Sequence, residues 1–401
     1  MELIRLRFKF DTFLSSYVDA STIFGAIAWG IRLLEGEDKL NEFLELYKKN
    51  KPPFLISSPL PEDECGNLWF PRPQLGGSVL DCSQEGKEPP TETTCGEENS
   101  DKYSCPKKNK EDPNKGQQNQ QKDPCRGYLR KIYPIHKQFK KIRYLPWEIF
   151  KKILVGEIKT EKDLLKGLAG YLLKREIKTD EELLEEKNLQ KLLECYVKKS
   201  PKLVETDATV KTAIHRLTAT AAEGQLFNET IRISPKFNIL VAVYNKKWWE
   251  KAKKALRVVK LGGNKTVGYG RFTFEEVPDN LLREIKPFVE NTTHTAITLS
   301  PTFYEENIDI EESFYEPYVK RPAVDKTYGY FDANFIRLPV WKNILLYLKE
   351  GAYLKLKQPK PFIGCLKPAL EYPPENKSSE GEKIVIYQYG YGFPLFVREN
   401  S

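Results

Sequence analysis

The chain lacks any apolar run long enough to cross a bilayer. Its longest apolar stretch, residues 23–31, has nine residues, whereas a membrane-spanning helix needs about twenty. Residues 1–11 alternate apolar and charged side chains, and they contain no apolar core of the kind that a secretory signal requires. We therefore expect a cytoplasmic protein that does not use a membrane as a partner.

Cysteine is present, but its spacing does not mark a metal site. No two of the seven cysteines are separated as C-x-x-C, which is the spacing that indicates zinc most strongly. Five of them fall in or beside one polar segment. This clustering leaves open a metal site or a disulfide, and the default expectation is thiols that are free or disulfide-bonded. No cofactor or metal is predicted. The five are Cys65, Cys82, Cys95, Cys105 and Cys125.

Length and charge fit a folded protein with an anionic partner. The 401 residues suggest two domains or more. Hydrophobic residues make up 40% of the chain, which is enough to build real cores and excludes a wholly disordered protein. The net charge of +8 favours an anionic partner without proving one.

Two strand–helix–strand patterns, separated by a long insertion, occupy the first two thirds of the chain. The first begins with apolar residues alternating with Arg5, Arg7 and Lys9, so we expect a strand with one basic, exposed face. A helix follows from about Thr22. The second pattern has a buried strand at 237–244, an amphipathic helix and a further strand up to Phe274. This order predicts a split ferredoxin-like unit, the fold of RNA-recognition motifs.

The predicted fold class is therefore α+β. The first domain covers residues 1–278, with a flexible polar insertion at about 78–126 and a helical and hairpin insertion at about 147–230. Residues 279–401 form a second α+β unit. Within it, we predict a hairpin between residues 344–349 and 353–357.

A glycine-rich loop after the second helix is the strongest local signal for a binding site. Glycines let the backbone adopt positive φ and approach a ligand closely, and consecutive free amides form an anion nest. The loop is not a Walker motif, because it does not end in G-K-[ST]. An ordinary helix-to-strand turn remains the alternative. The loop supplies Lys260, Gly262, Gly263, Asn264, Lys265, Gly268, Tyr269, Gly270 and Arg271.

A threonine-rich segment, residues 209–230, is the second signal. Small residues and hydroxyls surround His215 and Arg216, as expected for a hairpin or loop that lies along a sugar–phosphate backbone. Arg216 would pair with phosphate, and Leu226 or Phe227 would act as an apolar wedge. The alternative is a strand–turn–strand whose hydroxyls, including those of Thr218 and Thr220, face water.

Several of these motifs together resemble the RAMP superfamily, and within it the subunit-four family of the type III-A CRISPR (Csm) effector. They are the glycine loop, the helix start at residues 19–26 and, most specifically, residues 216–227. Weaker matches lie at residues 71–73, 140–145 and 387–393. The chain departs from the family pattern at His215 and Ala219, where an acid or amide and a glycine are expected.

The resemblance implies two ferredoxin-like (RRM-like) domains and a non-catalytic role. Members of the family bind the repeat-derived 5′ tag of the guide RNA (crRNA) and contact the large Cas10-type subunit and a backbone RAMP subunit, in antiviral defence. The segment 209–227 would be a thumb-like hairpin that kinks the RNA. The residues expected to contact RNA are Tyr17, Ser21, Thr22, His215, Arg216, Thr218, Thr220, Leu226, Phe227, Lys260, Gly262, Gly263, Asn264, Lys265, Gly268, Tyr269, Gly270 and Arg271.

Two alternative functions come from other classes. A guide-RNA-processing RAMP endoribonuclease would need a general base and acid on either side of one 2′-OH. The chain has only His136, His215 and His294 for this work, and they are far apart in sequence. An architectural adaptor without RNA contact is the other alternative, and it predicts that charge changes in the glycine loop leave RNA binding unaltered.

Overall fold

A computed structural model describes residues 1–80, 124–176, 186–214, 218, 220–234, 236–324, 341–372 and 384–399. The described part is a mixed α+β protein, as expected. Most of the predicted polar insertion lies outside it. Among the described residues, no helix combines the length and apolar character needed to span a bilayer.

The elements of the first two thirds of the chain include the two predicted strand–helix–strand units with an insertion between them. They are β1 (Glu2–Phe10), α1 (Ala20–Glu35), α2 (Glu37–Lys48), β2 (Phe54–Ile56), β3 (Trp69–Pro71), α3 (Pro124–Phe139), β4 (Tyr144–Pro146), α4 (Trp147–Leu154), α5 (Glu161–Glu176), α6 (Glu186–Lys199), β5 (Glu205–Ile214), β6 (Ala221–Ile233), β7 (Lys236–Val243), α7 (Lys246–Leu256) and β8 (Phe272–Glu276).

The described residues of the last third add one helix and eight strands. They are α8 (Leu281–Glu290), β9 (Thr295–Thr298), β10 (Ile308–Phe314), β11 (Pro317–Lys320), β12 (Leu345–Leu348), β13 (Tyr353–Leu356), β14 (Ile363–Tyr372), β15 (Ile384–Gly392) and β16 (Pro394–Phe396).

The first sheet has the strand order β2-β7-β1-β8, with antiparallel neighbours throughout. The connections β1-α1-β2 and β7-α7-β8 confirm the predicted pair of strand–helix–strand units. Leu6 and Phe8 lie fully buried on the face that α1 and α7 cover. On the same face, the ring of Phe54 lies 5.3 Å from that of Trp249 in α7.

Helix α1 forms because its start is capped and one side is apolar. The Asp19 carboxylate accepts a hydrogen bond from the Thr22 amide at 2.9 Å, which satisfies one of the free amides at the helix start. Ile23, Ile27 and Ile31 recur at helical spacing and are buried. The helix ends at Gly36, whose φ of 89° suits glycine.

Replacing either of two glycines of α1 with alanine is expected to change the stability of the protein in opposite directions. A Cβ on Gly30 would lie 2.7–2.9 Å from Ala255 of α7, whereas a Cβ on the exposed Gly25 meets nothing within 4 Å. Overpacking costs about 1–3 kcal/mol, and the better helix propensity of alanine contributes only up to about 1 kcal/mol. We expect Gly30→Ala to lower the free energy of unfolding and Gly25→Ala to raise it, as measured by urea denaturation. Equal effects of the two substitutions would contradict the close approach of α1 to α7.

The insertion between β2 and β7 carries helices α3–α6 and the long β5–β6 hairpin. The predicted helical segment is confirmed by α4, α5 and α6. Helix α3 lies before it and packs against α6. The sequence analysis did not predict α3, because Pro134 lies inside it and proline normally interrupts a helix.

The C-terminal sheet has the order β10-β13-β9-β16. Strands β11 and β12 form a separate ribbon, and β14 and β15 form another. Among the described residues, a helix precedes β9 but none follows Glu290, so a second ferredoxin-like domain is not confirmed. The boundary at 278/279 stays a prediction. Tyr47 and Tyr391 join the two halves, since their ring centroids lie 5.6 Å apart and the Tyr391 hydroxyl donates to the Tyr47 carbonyl at 2.6 Å.

The predicted hairpin between residues 344–349 and 353–357 is wrong. Strand β12 pairs with β11, and β13 pairs with β9 and β10. Gly351, between them, has a φ of 88° and donates its amide to the Thr298 carbonyl at 2.7 Å. The turn therefore moves the chain from one sheet to another instead of reversing it within one sheet.

Candidate nucleic-acid interface

The glycine loop, residues 261–271, is a backbone-bonded turn rather than an open coil. The Leu261 amide donates to the Gly270 carbonyl at 2.9 Å, which closes the loop at its base. The Gly270 amide donates to the Phe13 carbonyl at 2.9 Å, which attaches the loop to the segment between β1 and α1. Positive φ values at Gly262, Gly268 and Gly270, and at Asn264, produce its shape.

The loop presents backbone amides without an acceptor among the described residues, and one exposed cation. The backbone amides of Gly262 and Gly263 donate to no acceptor among the described residues, and Gly263 is exposed. Arg271 has 74% of its side chain exposed, with Asp11 3.8 Å away as its neighbouring carboxylate. Lys260 lies inside the loop instead, since its ammonium group donates to the Lys265 carbonyl at 2.9 Å. Arg271 is thus the best placed of the loop's cations to contact a bound anion.

The base of the β5–β6 hairpin packs directly on the glycine loop. The Glu229 carboxylate accepts hydrogen bonds from the Asn264 side chain at 2.6 Å and the Tyr269 hydroxyl at 3.2 Å. Lys211, on the neighbouring strand, pairs with the same carboxylate and lies over the Tyr269 ring. The hydrogen bond from Lys211 lowers the pKa of Glu229. The sequence analysis missed Lys211 and Glu229, because charged residues on a polar strand give no local signal.

The tip of the hairpin lies far from the loop. A strand rises about 3.4 Å per residue, so the tip at Thr220 is about 30 Å along β6 from Glu229. The side chains of Thr218 and Thr220 are exposed there, with their hydroxyls 2.8 Å apart. The predicted hairpin is confirmed by the pairing of β5 with β6. His215 and Arg216 fall outside the described residues, as does Ala219, and of Leu226 and Phe227 only the backbone is described.

An apolar cavity of about 540 Å³ lies between the loop and the hairpin base. Phe13 and Val267 line it, and both are well exposed to solvent. The Phe13 ring lies edge-on to that of Tyr269, with centroids 6.1 Å apart. Exposed aromatic faces beside free amides are what a nucleotide uses, with its base on the ring and its phosphate on the amides. Phe13 was not among the predicted residues.

The expectation of a free basic sheet face is wrong for Arg5 and Arg7, whereas Lys9 is exposed as expected. Arg5 is only 3% exposed and bonds to Glu62, Asp279 and Asn238. Arg7 donates to the same Glu62 carboxylate, at 3.1 Å. These carboxylates come from residues 62 and 279, which the strand pattern of β1 does not reveal. Around Arg5 and Arg7, the open face of the first sheet is therefore a charge-paired network, not an unpaired cationic surface.

The predicted residues at the start of α1 form a separate group. The Asp19 carboxylate binds the ammonium group of Lys320, which reaches it from β11. Ser21 is 5% exposed, and its hydroxyl bonds to both of these partners. Burial would raise the pKa of Asp19, but Lys320 outweighs it and lowers that pKa. The hydroxyls of Ser21 and Thr22 therefore form hydrogen bonds within the protein.

Tyr17 lies near this group but faces different neighbours. Its side chain is 41% exposed, but the dense packing around its hydroxyl, together with the nearby Tyr144 and Glu350, raises its pKa above the ordinary value. The structure thus brings together the loop and the hairpin base, and it leaves the start of α1 and the hairpin tip at separate positions.

The comparison with protein families decides the identity of the chain. The family model described as CRISPR-associated protein (Cas_Cmr3) matches residues 17–324, about three quarters of the sequence. The chain belongs to the Cas_Cmr3 family of CRISPR-associated proteins. The match includes every residue that the sequence analysis expected to contact RNA.

Several solved structures are similar to this Cas_Cmr3 family member at low identity. A chain of the Csm3–Csm4 subcomplex of the type III-A interference complex is 14% identical, with 100% of both chains covered and a TM-score of 0.49. A chain of the Csm1–Csm4 cassette in complex with cA4 is 12% identical over 100% of both chains, with a TM-score of 0.46. A chain of the type III-B Cmr-beta complex bound to cognate target RNA and AMPPnP is 12% identical, with 88% of this chain and 86% of that chain covered and a TM-score of 0.40. No curated protein sequence matches the chain.

The described histidines of this family member lie away from the glycine loop. His136 is buried in α3, where burial lowers its pKa and the nearby Lys140 lowers it further. The His294 ring nitrogen Nδ1 lies 3.0 Å from the Leu356 carbonyl in the C-terminal sheet. Of the cysteines, Cys65, Cys195 and Cys365 are free thiols. The described residues contain no group of three or more potential metal ligands, and the side chains of Cys82, Cys95, Cys105 and Cys125 lie outside them.

Proposed function

We propose that the chain is a non-catalytic subunit of a type III CRISPR effector complex that acts in the cytoplasm. It binds the repeat-derived 5′ tag of the guide RNA and contacts the large Cas10-type subunit and a backbone RAMP subunit. Membership of the Cas_Cmr3 family supports the CRISPR role. The sequence resemblance described above supports the narrower assignment to subunit four of a Csm-type complex.

The observation that carries the RNA part of the proposal is the junction of the glycine loop and the hairpin base. There, Phe13 and Tyr269 line one open cavity, and the same loop carries the free amides of Gly262 and Gly263 and the exposed Arg271. Amides and a guanidinium recognise phosphate oxygens, and aromatic faces recognise unstacked bases. Single-stranded RNA offers both groups.

The proposal predicts that neutralising the loop cations weakens tag binding. We expect Lys265→Gln with Arg271→Gln to weaken binding of a tagged guide RNA about tenfold or more, because each lost contact is a hydrogen bond to a charged phosphate. The slope of log Kd against log salt should fall by about 1.4, since each single-strand phosphate contact contributes about 0.7. Fluorescence anisotropy with a labelled guide measures both quantities.

A matched control substitutes one lysine and one arginine elsewhere. Lys247 in α7 and Arg283 in α8 are exposed, and glutamine at both should leave tag affinity unchanged. A guide of equal length with its tag sequence scrambled should bind more weakly to the wild-type protein, and the RNA should be recovered intact. Unchanged affinity and slope in the loop variant would instead support an adaptor without RNA contact at this site.

A further inference from the structure

The positive charge of the chain is concentrated in one short segment. Residues 124–147 carry seven arginines and lysines and no aspartate or glutamate, whereas the net charge of the whole chain is +8. The rest of the chain is therefore nearly neutral. Helix α3 and the turn that follows it, residues 140–143, contain all seven cations. A surface of this kind attracts polyanions strongly.

One side of α3 anchors it, and the opposite side carries the charge. Ile135 and Phe139 are buried, and the helix packs against α6. At 100° and 1.5 Å per residue, Arg130, Tyr133 and Lys137 on the opposite side fall within an arc of about 60° and extend about 10 Å along the helix axis. The exposed Lys140 and Lys141 follow in the turn after α3. We call this set the α3 basic face. Its exposed members are Arg130, Tyr133, Lys137, Lys140 and Lys141.

The cations of the α3 basic face have no carboxylate partner within the described parts of the chain. None of Arg130, Lys137 and Lys141 forms an ion pair there, and the same holds for Lys140. The carboxylates that lie near α3 are already used, since Glu194 accepts from Gln138 and Gln190. Unpaired exposed cations retain their full attraction for an anion, because no intramolecular bond must be broken first.

An exposed aromatic ring lies among these cations. Tyr133 is 59% exposed, although a residue of its type usually buries its ring. Cations about one helical turn apart can follow successive phosphates, and a ring between them can stack on a base. An acidic protein surface would use the cations but has no need of the ring.

We propose that the α3 basic face binds the sugar–phosphate backbone of single-stranded nucleic acid, with Tyr133 stacking on a base. The contact is independent of the tag sequence, because backbone charge and stacking are common to all nucleotides. It is also separate from the glycine loop, which lies on a different part of the fold. The chain would then hold a second stretch of single strand besides the guide tag.

The test uses the full chain and two labelled probes without a tag, a 20-nucleotide oligouridine RNA and an oligothymidine DNA of the same length. We expect Arg130→Gln with Lys137→Gln and Lys141→Gln to weaken binding tenfold or more at low salt and to lower the salt slope by about 2. Tyr133→Ala should weaken binding about fivefold or more, through lost stacking. Loss with both probes assigns the face to single strands in general, and loss with one assigns it to RNA or to DNA.

The control variant carries the same change of charge on helices α7 and α8. Arg283→Gln with Lys247→Gln and Lys254→Gln should bind both probes as the wild type does, because these exposed side chains lie outside α3. The Lys265→Gln, Arg271→Gln variant should keep oligouridine binding while losing tag affinity. The two measurements therefore test the α3 basic face and the glycine loop separately. Equal loss in the control, or unchanged affinity in the α3 variant, would overturn the proposal. Copurification of another subunit that is lost only in the α3 variant, with probe binding intact, would assign the face to a protein and overturn it as well.

Discussion

Replacing Gly270 with alanine is expected to disrupt the glycine loop more than any other single methyl group added there. The φ of Gly270 is +75°, and an added Cβ would lie 1.8 Å from the Leu261 carbonyl oxygen. That oxygen belongs to the backbone, so no side-chain rotation can relieve the clash. The loop must open at its base, where Leu261 donates to Gly270 and Gly270 donates to Phe13.

The expected cost of Gly270→Ala is about 3 kcal/mol or more of the free energy of unfolding. Positive φ in a residue other than glycine costs about 1–3 kcal/mol, and the displaced backbone adds the loss of buried hydrogen bonds. Urea denaturation measures the total. Hydrogen exchange locates it, because the amides of Leu261 and Gly270 should lose protection while β1 and β7 keep theirs.

Gly268→Ala is the matched control. Its φ is +97°, but a Cβ there meets nothing within 4 Å, so only the backbone strain of about 1 kcal/mol applies. On the proposed function, tag affinity should also fall further in Gly270→Ala than in Gly268→Ala, because the loop amides lose their arrangement. Equal protection of Leu261 in both variants would show that the loop base is not closed as described.

The first sheet was predictable because its signals are local. Alternating apolar residues in β1, a capped helix start and the Phe272–Phe274 alternation each report on a few neighbouring positions. The β5–β6 hairpin followed from the same kind of pattern. The prediction of a C-terminal hairpin was wrong because the turn at Gly351 does not pair the strands on either side of it. The neighbours of Gly351 at Thr298 and Arg72 are distant in sequence. Pairing between distant strands leaves no local trace.

The candidate site was predictable only in part. Positive φ at Gly262, Gly268 and Gly270 agrees with a loop chosen for its glycines. The polar neighbours that fix Asn264 and Tyr269 come from the hairpin, through Glu229, and no spacing rule connects them. For β1, the sequence predicted too much free positive charge. A strand pattern shows which side of the sheet a residue faces, but it does not show which carboxylate pairs with it.

Removing the charge of Glu62 is expected to destabilise the protein by about 3–5 kcal/mol. The Glu62 side chain is 1% exposed and binds Arg5, Arg7 and Lys236. Loss of its charge leaves the buried Arg5 with Asp279 alone and removes a shared carboxylate from the partly exposed Arg7 and Lys236, and breaking a buried ion pair costs about this amount. Glu62→Gln keeps the shape of the side chain and removes only the charge, so urea denaturation of this variant isolates the electrostatic contribution.

The pH dependence of stability gives a second readout. Burial would raise the pKa of Glu62, but hydrogen bonds from Lys236, Asn238 and Arg7 outweigh it and hold that pKa below its ordinary value of 4.5. A carboxyl whose pKa is lower in the folded state stabilises the fold above its unfolded pKa, and the contribution is lost as the pH falls through the folded pKa. The wild type should therefore lose stability below about pH 4.5 more steeply than Glu62→Gln.

Glu275→Gln is the matched control, because Glu275 is an exposed carboxylate that pairs with Arg7, the same cation that the buried Glu62 binds. Glu275 also pairs with Arg7, at 3.4 Å, but 66% of its side chain is exposed. Solvent-exposed ion pairs contribute about 0–1 kcal/mol, so this variant should unfold almost as the wild type does, with the same pH dependence. A cost of Glu62→Gln as small as that of Glu275→Gln would mean that water reaches the network on the open face of the first sheet. That face would then be available as the basic surface that the alternation in β1 first predicted.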